Sequence, residues 1–296
     1  MILRLASDSV SRRLGDFCEL TKPRLSGLVL FTTAVGCWLG MRSAAQAPLF
    51  LSTMIGTALV VAGANALNQW AERDQDRLML RTRHRPLPTG RLHPDSAHRF
   101  GAALVLAGVV YLALAANLLA AGLAVVSAVS YLALYTPMKS ASALCTLVGA
   151  IPGALPPVIG WAAMRGTLGP EAWALFAILF IWQLPHFLGI ALLYRDDYAR
   201  AGFCMLPLTE PHGFVTARQI VLYGLVLVPA SLFPSFLGLA GACYGIGALL
   251  LSAAFLAIGV RAALVRSTVC ARHLFLASVA YLPLLLLLLA CDKRGA

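Results

Sequence analysis

The sequence predicts an all-α, polytopic membrane protein. Hydrophobic residues make up 60% of its 296 residues and charged residues only 12%, and the mean hydropathy is +0.82. A soluble domain has about 25% charged residues. The apolar stretches are continuous, as at residues 282–290, and lack the alternation of membrane β-barrel strands. This composition excludes a soluble globular fold. Because lipid offers the backbone no hydrogen-bond partner, only helices can cross the bilayer here.

Apolar runs separated by polar residues, glycine or proline predict nine membrane helices. Each crossing needs about 20 apolar residues, so nine crossings use about 180 residues and leave short loops. In chain order the predicted spans are 24–41, 49–70, 98–117, 120–136, 143–163, 170–193, 218–238, 241–260 and 274–291. They form one transmembrane domain at 24–291, between an N-terminal lead-in at 1–23 and a tail at 292–296.

Basic residues lie mainly on one side of these spans. With the N-terminus in the cytoplasm, all but four of the 23 lysines and arginines fall in cytoplasmic segments, as the positive-inside rule requires. The exceptions are Arg42, Arg165, Lys293 and Arg294. The lead-in has no apolar stretch of the kind found in a secretory signal. We therefore expect a bacterial inner-membrane protein with a cytoplasmic N-terminus and a periplasmic C-terminus.

The loop after the second span is unusually basic. The net charge of +11 follows largely from the orientation, and the sequence shows no nucleic-acid-binding module. Orientation does not explain why seven arginines lie between residues 73 and 99. Such a loop could bind anionic lipid or a phosphorylated substrate.

A polar stripe ends the second span, where Asn68, Glu72 and Asp76 recur every four residues. On a continuous helix they share one face, with Asn65 beside them. The two carboxylates would lie about 6 Å apart along the helix axis. They could then share hydrated Mg²⁺ while phosphate oxygens complete its coordination. Asp74 would point away and pair with a neighbouring arginine.

The alternative interpretation of this stripe is an ordinary hydrated helix end with mixed charges. Three of the twelve acidic residues fall within five positions there, and the arginine-rich loop follows at once. Placing a carboxylate at membrane depth is energetically unfavourable, so carboxylates found there usually have a function. Acidic side chains for a metal beside arginines for phosphate favour a diphosphate site.

The sixth span carries a second polar stripe. His186 and Asp197 are eleven residues apart, about three helical turns, so they share a face with Tyr194 if the helix continues. Pro185 precedes the histidine and predicts a local kink. The alternative is a histidine that only packs or hydrogen-bonds within the bundle.

The fourth span ends with Tyr135 and Lys139, which lie one turn apart. By itself such a lysine is commonly interfacial, with its ammonium among the lipid headgroups. Spans 2, 4 and 6 share a direction, however, so their polar ends can meet at one cytoplasm-facing cavity. Lys139 would then face the two acidic helix ends.

These motifs together resemble the protoheme IX farnesyltransferase (heme O synthase) family of the UbiA-type intramembrane prenyltransferase superfamily. The resemblance extends from TKPRL at 21–25 to the last span. It includes the NxxxExxxD of the second span, the RTRHRPLPTGRL that follows and the YTPMK of the fourth span. Heme-farnesylating members are distinguished by the segment WQLPHFLGIALLYRDDYARAGFCMLP, found here at 182–207. Ser140 departs from the family pattern, which has a basic residue or threonine there.

The resemblance implies nine helices around a central cavity, with farnesyl diphosphate as farnesyl donor, heme B as the acceptor substrate and heme O as product. It implies Mg²⁺ held by Asn68, Glu72 and Asp76. It implies that the charge of the diphosphate is neutralised by Arg77, Arg81, Arg83, Arg85 and Lys139. The implied catalytic residues are Asn68, Glu72, Asp76, Lys139 and Asp197, and the other substrate-binding residues are Asn65, Tyr135, His186 and Tyr194. Besides the lipid bilayer, the resemblance points to a heme A synthase or a terminal-oxidase assembly protein as a partner.

Two other functions stay open at this point. A quinone-type or chlorophyll-type prenyltransferase would share the diphosphate site, but its sixth span should carry DxxxD where this chain has His186 and Ile190. A transporter would use the charged stripe as an ion pathway. It should show an internal inverted repeat, which the sequence lacks.

Overall fold

The computed structural model describes residues 12–210 and 212–294, and this part of the chain contains nine long helices. They are α1 (Pro23–Gly40), α2 (Ala47–Ala71), α3 (Pro94–Ala115), α4 (Leu118–Met138), α5 (Cys145–Arg165), α6 (Pro170–Leu193), α7 (Phe214–Phe236), α8 (Ala242–Val265) and α9 (Thr268–Cys291). Within the described residues the β structure is one isolated bridge, so the predicted all-α class is confirmed. Residues 1–11 of the predicted lead-in and 295–296 of the predicted tail lie outside the described residues.

Local capping signals determine where the helices begin. Proline stands in the first turn of α1, α3 and α6, where its missing N–H is not needed. The prediction differs most at α9, which begins at Thr268, six residues earlier than expected. Ser267 Oγ accepts a hydrogen bond from the Cys270 N–H and so caps the helix. Arg272 and His273 therefore lie inside α9, whereas the apolar run begins only after them.

Helices α2 and α6 end before the two predicted polar stripes are complete. Glu72 (φ −97°, ψ 11°) and Tyr194 (φ −111°, ψ 30°) depart from helical geometry. Each is followed by a six-residue helix, Arg73–Leu78 and Arg195–Arg200 respectively. The expectation of a continuous helix through each stripe is therefore wrong, because the changed ψ at each junction redirects the chain.

Eight of the nine long helices in the described residues have the length and hydropathy of a membrane span. The exception is α1, whose 18 residues begin with a proline and an arginine. Helix α1 nevertheless runs the length of the bundle. Lys22 Nζ, just before α1, donates to Asn68 Oδ1 near the end of α2 (2.9 Å), and Trp38 Nε1 donates to the Ala290 carbonyl oxygen near the end of α9 (3.0 Å).

Glycines allow α1 to pack closely on α5. A Cβ on Gly36 would lie 2.0 Å from the Pro157 carbonyl oxygen, and a Cβ on Gly160 would lie 2.3 Å from the Thr33 carbonyl oxygen. Small residues permit such close approach of helices in a membrane. Most of α5 is buried, so it forms the centre of the bundle.

The two ends of the bundle bring different groups together. At one end Lys139 Nζ, directly after α4, lies 2.6 Å from Glu72 Oε1, directly after α2. At the other end Lys293 Nζ, after α9, donates to the carbonyl oxygens of Trp38 (2.8 Å) and Met41 (2.7 Å). The end of the described chain therefore lies opposite the end that holds the predicted site.

Candidate active site

A cavity of about 380 Å³ opens among α1, α2, α4, α5 and α6. One end of it is polar and the remainder is mostly apolar. The polar end is lined by Lys22, Asn65, Asn68, Glu72, Asp76, Arg81, Arg85, Tyr135 and Lys139. The apolar lining includes Val29, Val60, Ala128, Pro156 and Ile159. From Asn68 to Thr57, both on α2 and both in the lining, the cavity extends about 16 Å into the bundle.

The two predicted metal-binding carboxylates are buried, and each is paired with a cation. Glu72 Oε1 lies 2.6 Å from Lys139 Nζ. Arg85 Nη1 donates to both carboxylate oxygens of Asp76, at 3.0 and 2.8 Å. The cations come from the end of α4 and from the loop before α3, so folding brings three segments to one place.

The two asparagines of the stripe are buried beside these carboxylates. Asn68 Oδ1 accepts a hydrogen bond from Lys22 Nζ, and Asn68 Nδ2 donates to Thr136 Oγ1 (3.2 Å). Asn65 Nδ2 donates to Ser26 Oγ (3.1 Å). The structure thus brings Asn68, together with both carboxylates, to the polar end of the cavity, and each of the three faces a cation.

Lys22 is a functional candidate that the sequence analysis left out of the site. Its backbone is in the left-handed region (φ 49°), immediately before the proline that begins α1. Burial and the nearby Arg85 guanidinium lower the pKa of Lys22 to about 7. The available signal was the TKPRL motif, which places a lysine directly before a helix-initiating proline.

Lys139 lies in the cavity, and the interfacial alternative is excluded by its burial. Its side chain is only 11% exposed, and its Nζ lies 4.6 Å from the ring centroid of Tyr135. Burial disfavours the ammonium, but Tyr135 and Glu72 favour it more strongly, so the pKa of Lys139 is raised. Gly149 leaves room for the tyrosine, because a Cβ there would lie 2.5 Å from the ring.

The oxygen donors suit Mg²⁺ together with an anionic substrate. The described residues contain no group of three or more His, Cys, Asp or Glu side chains able to hold a metal. Glu72, Asp76 and Asn68 offer hard oxygen atoms, and Mg²⁺ is usually bound by one or two carboxylates plus substrate phosphates. The lysines and the arginine that pair with them are groups that also bind phosphate. The donor set therefore fits a metal that arrives with a diphosphate.

Two of the four predicted diphosphate-binding arginines line the cavity, and two do not. Arg81 and Arg85 are in the lining. Arg77 lies on its own short helix and pairs with Asp74 (3.7 Å), as was predicted for Asp74. Arg83 is exposed. Arg77 and Arg83 therefore lie outside the cavity lining, and their contact with the diphosphate stays a prediction.

Asp197 lies outside the cavity lining and anchors a loop. Its carboxylate accepts hydrogen bonds from the Leu80 N–H (3.0 Å) and the Arg81 N–H (3.4 Å) and pairs with Arg200. Burial alone would raise the pKa of Asp197, but these hydrogen bonds outweigh it and the pKa is lowered. The carboxylate thus holds the backbone from which Arg81 reaches the cavity, and a catalytic role for Asp197 stays a prediction.

The predicted stripe of His186, Tyr194 and Asp197 is not formed, because the chain turns at Tyr194. Tyr194 is exposed, and its ring centroid lies 4.8 Å from the Arg81 guanidinium carbon. Of these three residues, His186 alone lines the cavity.

Aromatic rings surround His186 in the cavity wall. Its ring centroid lies 4.9 Å from that of Trp182, with an interplanar angle of 19°, and 5.5 Å from that of Phe275. Its Nδ1 lies 2.7 Å from Ser278 Oγ. Gln183, which the sequence analysis did not assign, is buried beside it and also lines the cavity. A polar residue at membrane depth next to the histidine was the signal for it.

The sequence matches the UbiA prenyltransferase family over residues 29–289. The chain belongs to this family. The resemblance inferred from the motifs is confirmed, and the transporter alternative is left without support.

Comparison with known proteins agrees in sequence and in fold. The chain is 51% identical to the protoheme IX farnesyltransferase of Solibacter usitatus (strain Ellin6076) over 289 residues, which cover 95% of this chain and 99% of the relative. A solved digeranylgeranylglyceryl phosphate synthase has a TM-score of 0.81 and 17% identity, covering 95% of this chain and 98% of that one. A UbiA homolog from Archaeoglobus fulgidus, solved with DMAPP and Mg²⁺, has a TM-score of 0.66 and 16% identity, covering 93% and 99%. The predicted UbiA-like fold is confirmed.

Proposed function

We propose that this chain transfers the farnesyl group of farnesyl diphosphate to a vinyl group of heme B, with addition of water, giving heme O and diphosphate. The observation that carries the proposal is one cavity that joins a cluster of lysines and arginines to an apolar space inside the bundle. The cationic end suits diphosphate, and the apolar space suits an isoprenoid chain. The name of the 51% identical relative supports heme as the acceptor.

In this proposal Lys22, Arg85 and Lys139 bind the diphosphate. Each cation exchanges its oxygen partner in the protein for a diphosphate oxygen. They neutralise the charge that develops as the bond between farnesyl C1 and the diphosphate oxygen breaks. Because the site is buried, these charge interactions are stronger than they would be in water.

Glu72, Asp76 and Asn68 are the residues that would hold Mg²⁺ once the cations turn to the diphosphate. When bound, the ion supplies positive charge that stabilises the leaving diphosphate. The Archaeoglobus fulgidus homolog was solved with both DMAPP and Mg²⁺, which supports the same pairing of metal and diphosphate here.

The apolar walls keep water away from the allylic cation while the acceptor reaches it. The terminal carbon of the heme vinyl group bonds to farnesyl C1, and the positive charge moves to the adjacent carbon next to the porphyrin. Water adds to that carbon and releases one proton, which leaves a hydroxyethylfarnesyl chain. No covalent bond to the enzyme is required.

The reaction is tested in membranes that contain the overexpressed protein, supplied with farnesyl diphosphate and heme B. We expect the extracted heme to gain the mass of one farnesyl group and one hydroxyl group, because the added water releases one proton. Membranes with Glu72→Gln serve as the inactive control, and Asp74→Asn serves as the matched active one. Unchanged heme together with prenylation of an added quinone precursor would contradict the proposal.

We place the protein in the bacterial inner membrane with the polar end of the cavity toward the cytoplasm. Farnesyl diphosphate is an anionic cytosolic metabolite, and the arginine-rich loop between α2 and α3 lies at that end. A phosphatase reporter fused after Ala296 should therefore be active in the periplasm, and one fused near Gly90 should be inactive. If both are inactive, the number of crossings is even. Helix α1 would then be the first to question, since it is not among the eight candidate spans.

A further inference from the structure

Ser278 on α9 connects to the aromatic wall of the cavity through three contacts. Its Oγ lies 2.7 Å from His186 Nδ1 and 2.6 Å from the Phe275 carbonyl oxygen. Its carbonyl oxygen accepts a hydrogen bond from Trp182 Nε1 (2.9 Å). Ser278 is completely buried, so water does not compete for these groups.

The contacts of Ser278 determine which nitrogen of His186 carries the proton. A serine hydroxyl has one hydrogen to donate. If it went to His186, the Ser278 and Phe275 oxygens would face each other at 2.6 Å with no hydrogen between them. If the hydroxyl donates to the Phe275 carbonyl, His186 Nδ1–H donates to Ser278 Oγ and both short contacts are hydrogen bonds. This second arrangement leaves Nε2 of the neutral ring unprotonated.

The protein contacts of the imidazole leave its Nε2 edge without a partner in the described residues. Trp182 and Phe275 pack around the ring, and Ser278 occupies the Nδ1 side. Within the described residues, no protein group hydrogen-bonds to Nε2, and this atom is not fully buried. It is therefore accessible, and the space that His186 lines is the farnesyl-transfer cavity.

One turn of α9 fixes the orientation of the His186 ring as well as the position of its proton. Phe275 belongs to that turn, and Trp182, which stacks on the imidazole, is tied to it through the Ser278 carbonyl. The imidazole is thus fixed in orientation by residues from a helix other than its own.

We propose that Ser278 is a positioning residue that fixes this tautomer, so that Nε2 of His186 binds the iron of the acceptor. The inference rests on the proposed function, because the acceptor must carry a metal. Neutral imidazole is a common metal ligand, and a hydrogen bond at its other nitrogen sets its orientation and raises its basicity. A quinone precursor has no metal, so this arrangement favours a metalloporphyrin.

The test uses the purified full-length protein in detergent with added heme B. Resonance Raman spectra of the ferrous complex report the iron–histidine stretch, whose frequency falls when the imidazole loses its Nδ1 hydrogen bond. We expect this band in the wild type, no band in His186→Ala, and a band at lower frequency in Ser278→Ala. Ser278→Thr should restore the wild-type frequency, since threonine keeps a hydroxyl able to bond the preceding turn. Heme affinity should fall about 10- to 100-fold in Ser278→Ala, the usual range for such a partner.

Ser252→Ala is the matched control. Ser252 is as buried as Ser278, and its hydroxyl bonds the Ala248 carbonyl oxygen of its own helix, outside the cavity lining. Its variant should keep the wild-type band. A wild-type complex without the band, or a Ser278→Ala band that does not move, overturns the inference. Heme O formation is measured separately. Heme O without the band contradicts this inference and leaves the proposed function intact, whereas a band without heme O contradicts the proposed function.

Discussion

The two parts of the cavity are built in different ways. The charged end contains the cation–oxygen pairs formed by Lys22, Asn68, Glu72, Asp76, Arg85 and Lys139. The aromatic wall consists of Trp182, His186, Phe275 and Ser278. At the charged end several cations together bind the diphosphate, whereas the aromatic wall orients one nitrogen atom, Nε2 of His186. Changes at the charged end should therefore affect every substrate with a diphosphate, and changes at the wall should affect the acceptor alone.

The largest effect should come from removing a carboxylate of the charged end. Glu72→Gln and Asp76→Asn should each lower heme O formation at least about a hundredfold, the scale of losing one charge contact in the transition state. Each change also leaves Lys139 or Arg85 without its charged partner at the polar end of the cavity, which is unfavourable. The control is Asp74→Asn, whose side chain is 64% exposed and which should stay within about twofold. Near-normal heme O in either carboxylate variant would rule out this site.

The next effect separates the two parts directly. His186→Ala should lower heme-dependent turnover at least about tenfold, because losing even the hydrogen-bond partner of a metal ligand costs about 10- to 100-fold. Thermal protection by a farnesyl diphosphate analogue should remain, because the charged end is unchanged. If the analogue no longer protects the variant, His186 belongs to the diphosphate site and the two parts are not separate.

A smaller effect is expected at the loop anchor. Asp197→Ala removes the acceptor of the Leu80 and Arg81 N–H groups, so the KM for farnesyl diphosphate should rise about tenfold, a typical value for hydrogen bonds to a charged group. Because its pKa is lowered, the carboxylate is lost only as pH falls below the ordinary range for aspartate. The difference from wild type should thus be constant between about pH 6 and pH 8. The exposed Asp196→Ala is the control, and a KM that changes equally in both would contradict the anchor.

The smallest effect should distinguish two arginines of one loop. Heme O formation by Arg83→Gln should stay within about twofold of wild type, because an exposed charge contributes little. Heme O formation by Arg85→Gln should fall as far as in the carboxylate variants. Both are measured as heme O formed per unit of folded protein. Equal losses in the two variants would mean that Arg83 reaches the diphosphate when substrate is bound.

Much of the fold could be predicted because local signals determine the helices. Helix α6 has the predicted bounds of 170 and 193, where a proline and an apolar run coincide. The spacing of four also placed Asn68, Glu72 and Asp76 together although α2 ends before Glu72. It succeeded because the Asp76 N–H still bonds the Glu72 carbonyl oxygen (2.8 Å) across the junction, which keeps the two side chains on neighbouring turns.

Apart from Lys139, which was expected to face the acidic helix ends, the partners of these residues could not be predicted, because they come from distant parts of the chain. Lys22 and Asn68 are 46 positions apart, His186 and Ser278 are 92 apart, and the Leu80 contact with Asp197 spans 117. No periodicity within one helix carries information about such contacts. They depend on how helices pack and on where the chain turns, as at Tyr194.

The cation–oxygen pairs of the charged end also bear on product release. After the carbon–oxygen bond breaks, diphosphate carries more charge than before, and buried cations with no other partner would retain it. Glu72, Asp76 and Asn68 are internal competitors for those cations, so each lysine or arginine has an oxygen to return to as the product departs. The enzyme thereby avoids binding its product as tightly as the transition state. A site without these oxygens would bind diphosphate well and turn over slowly.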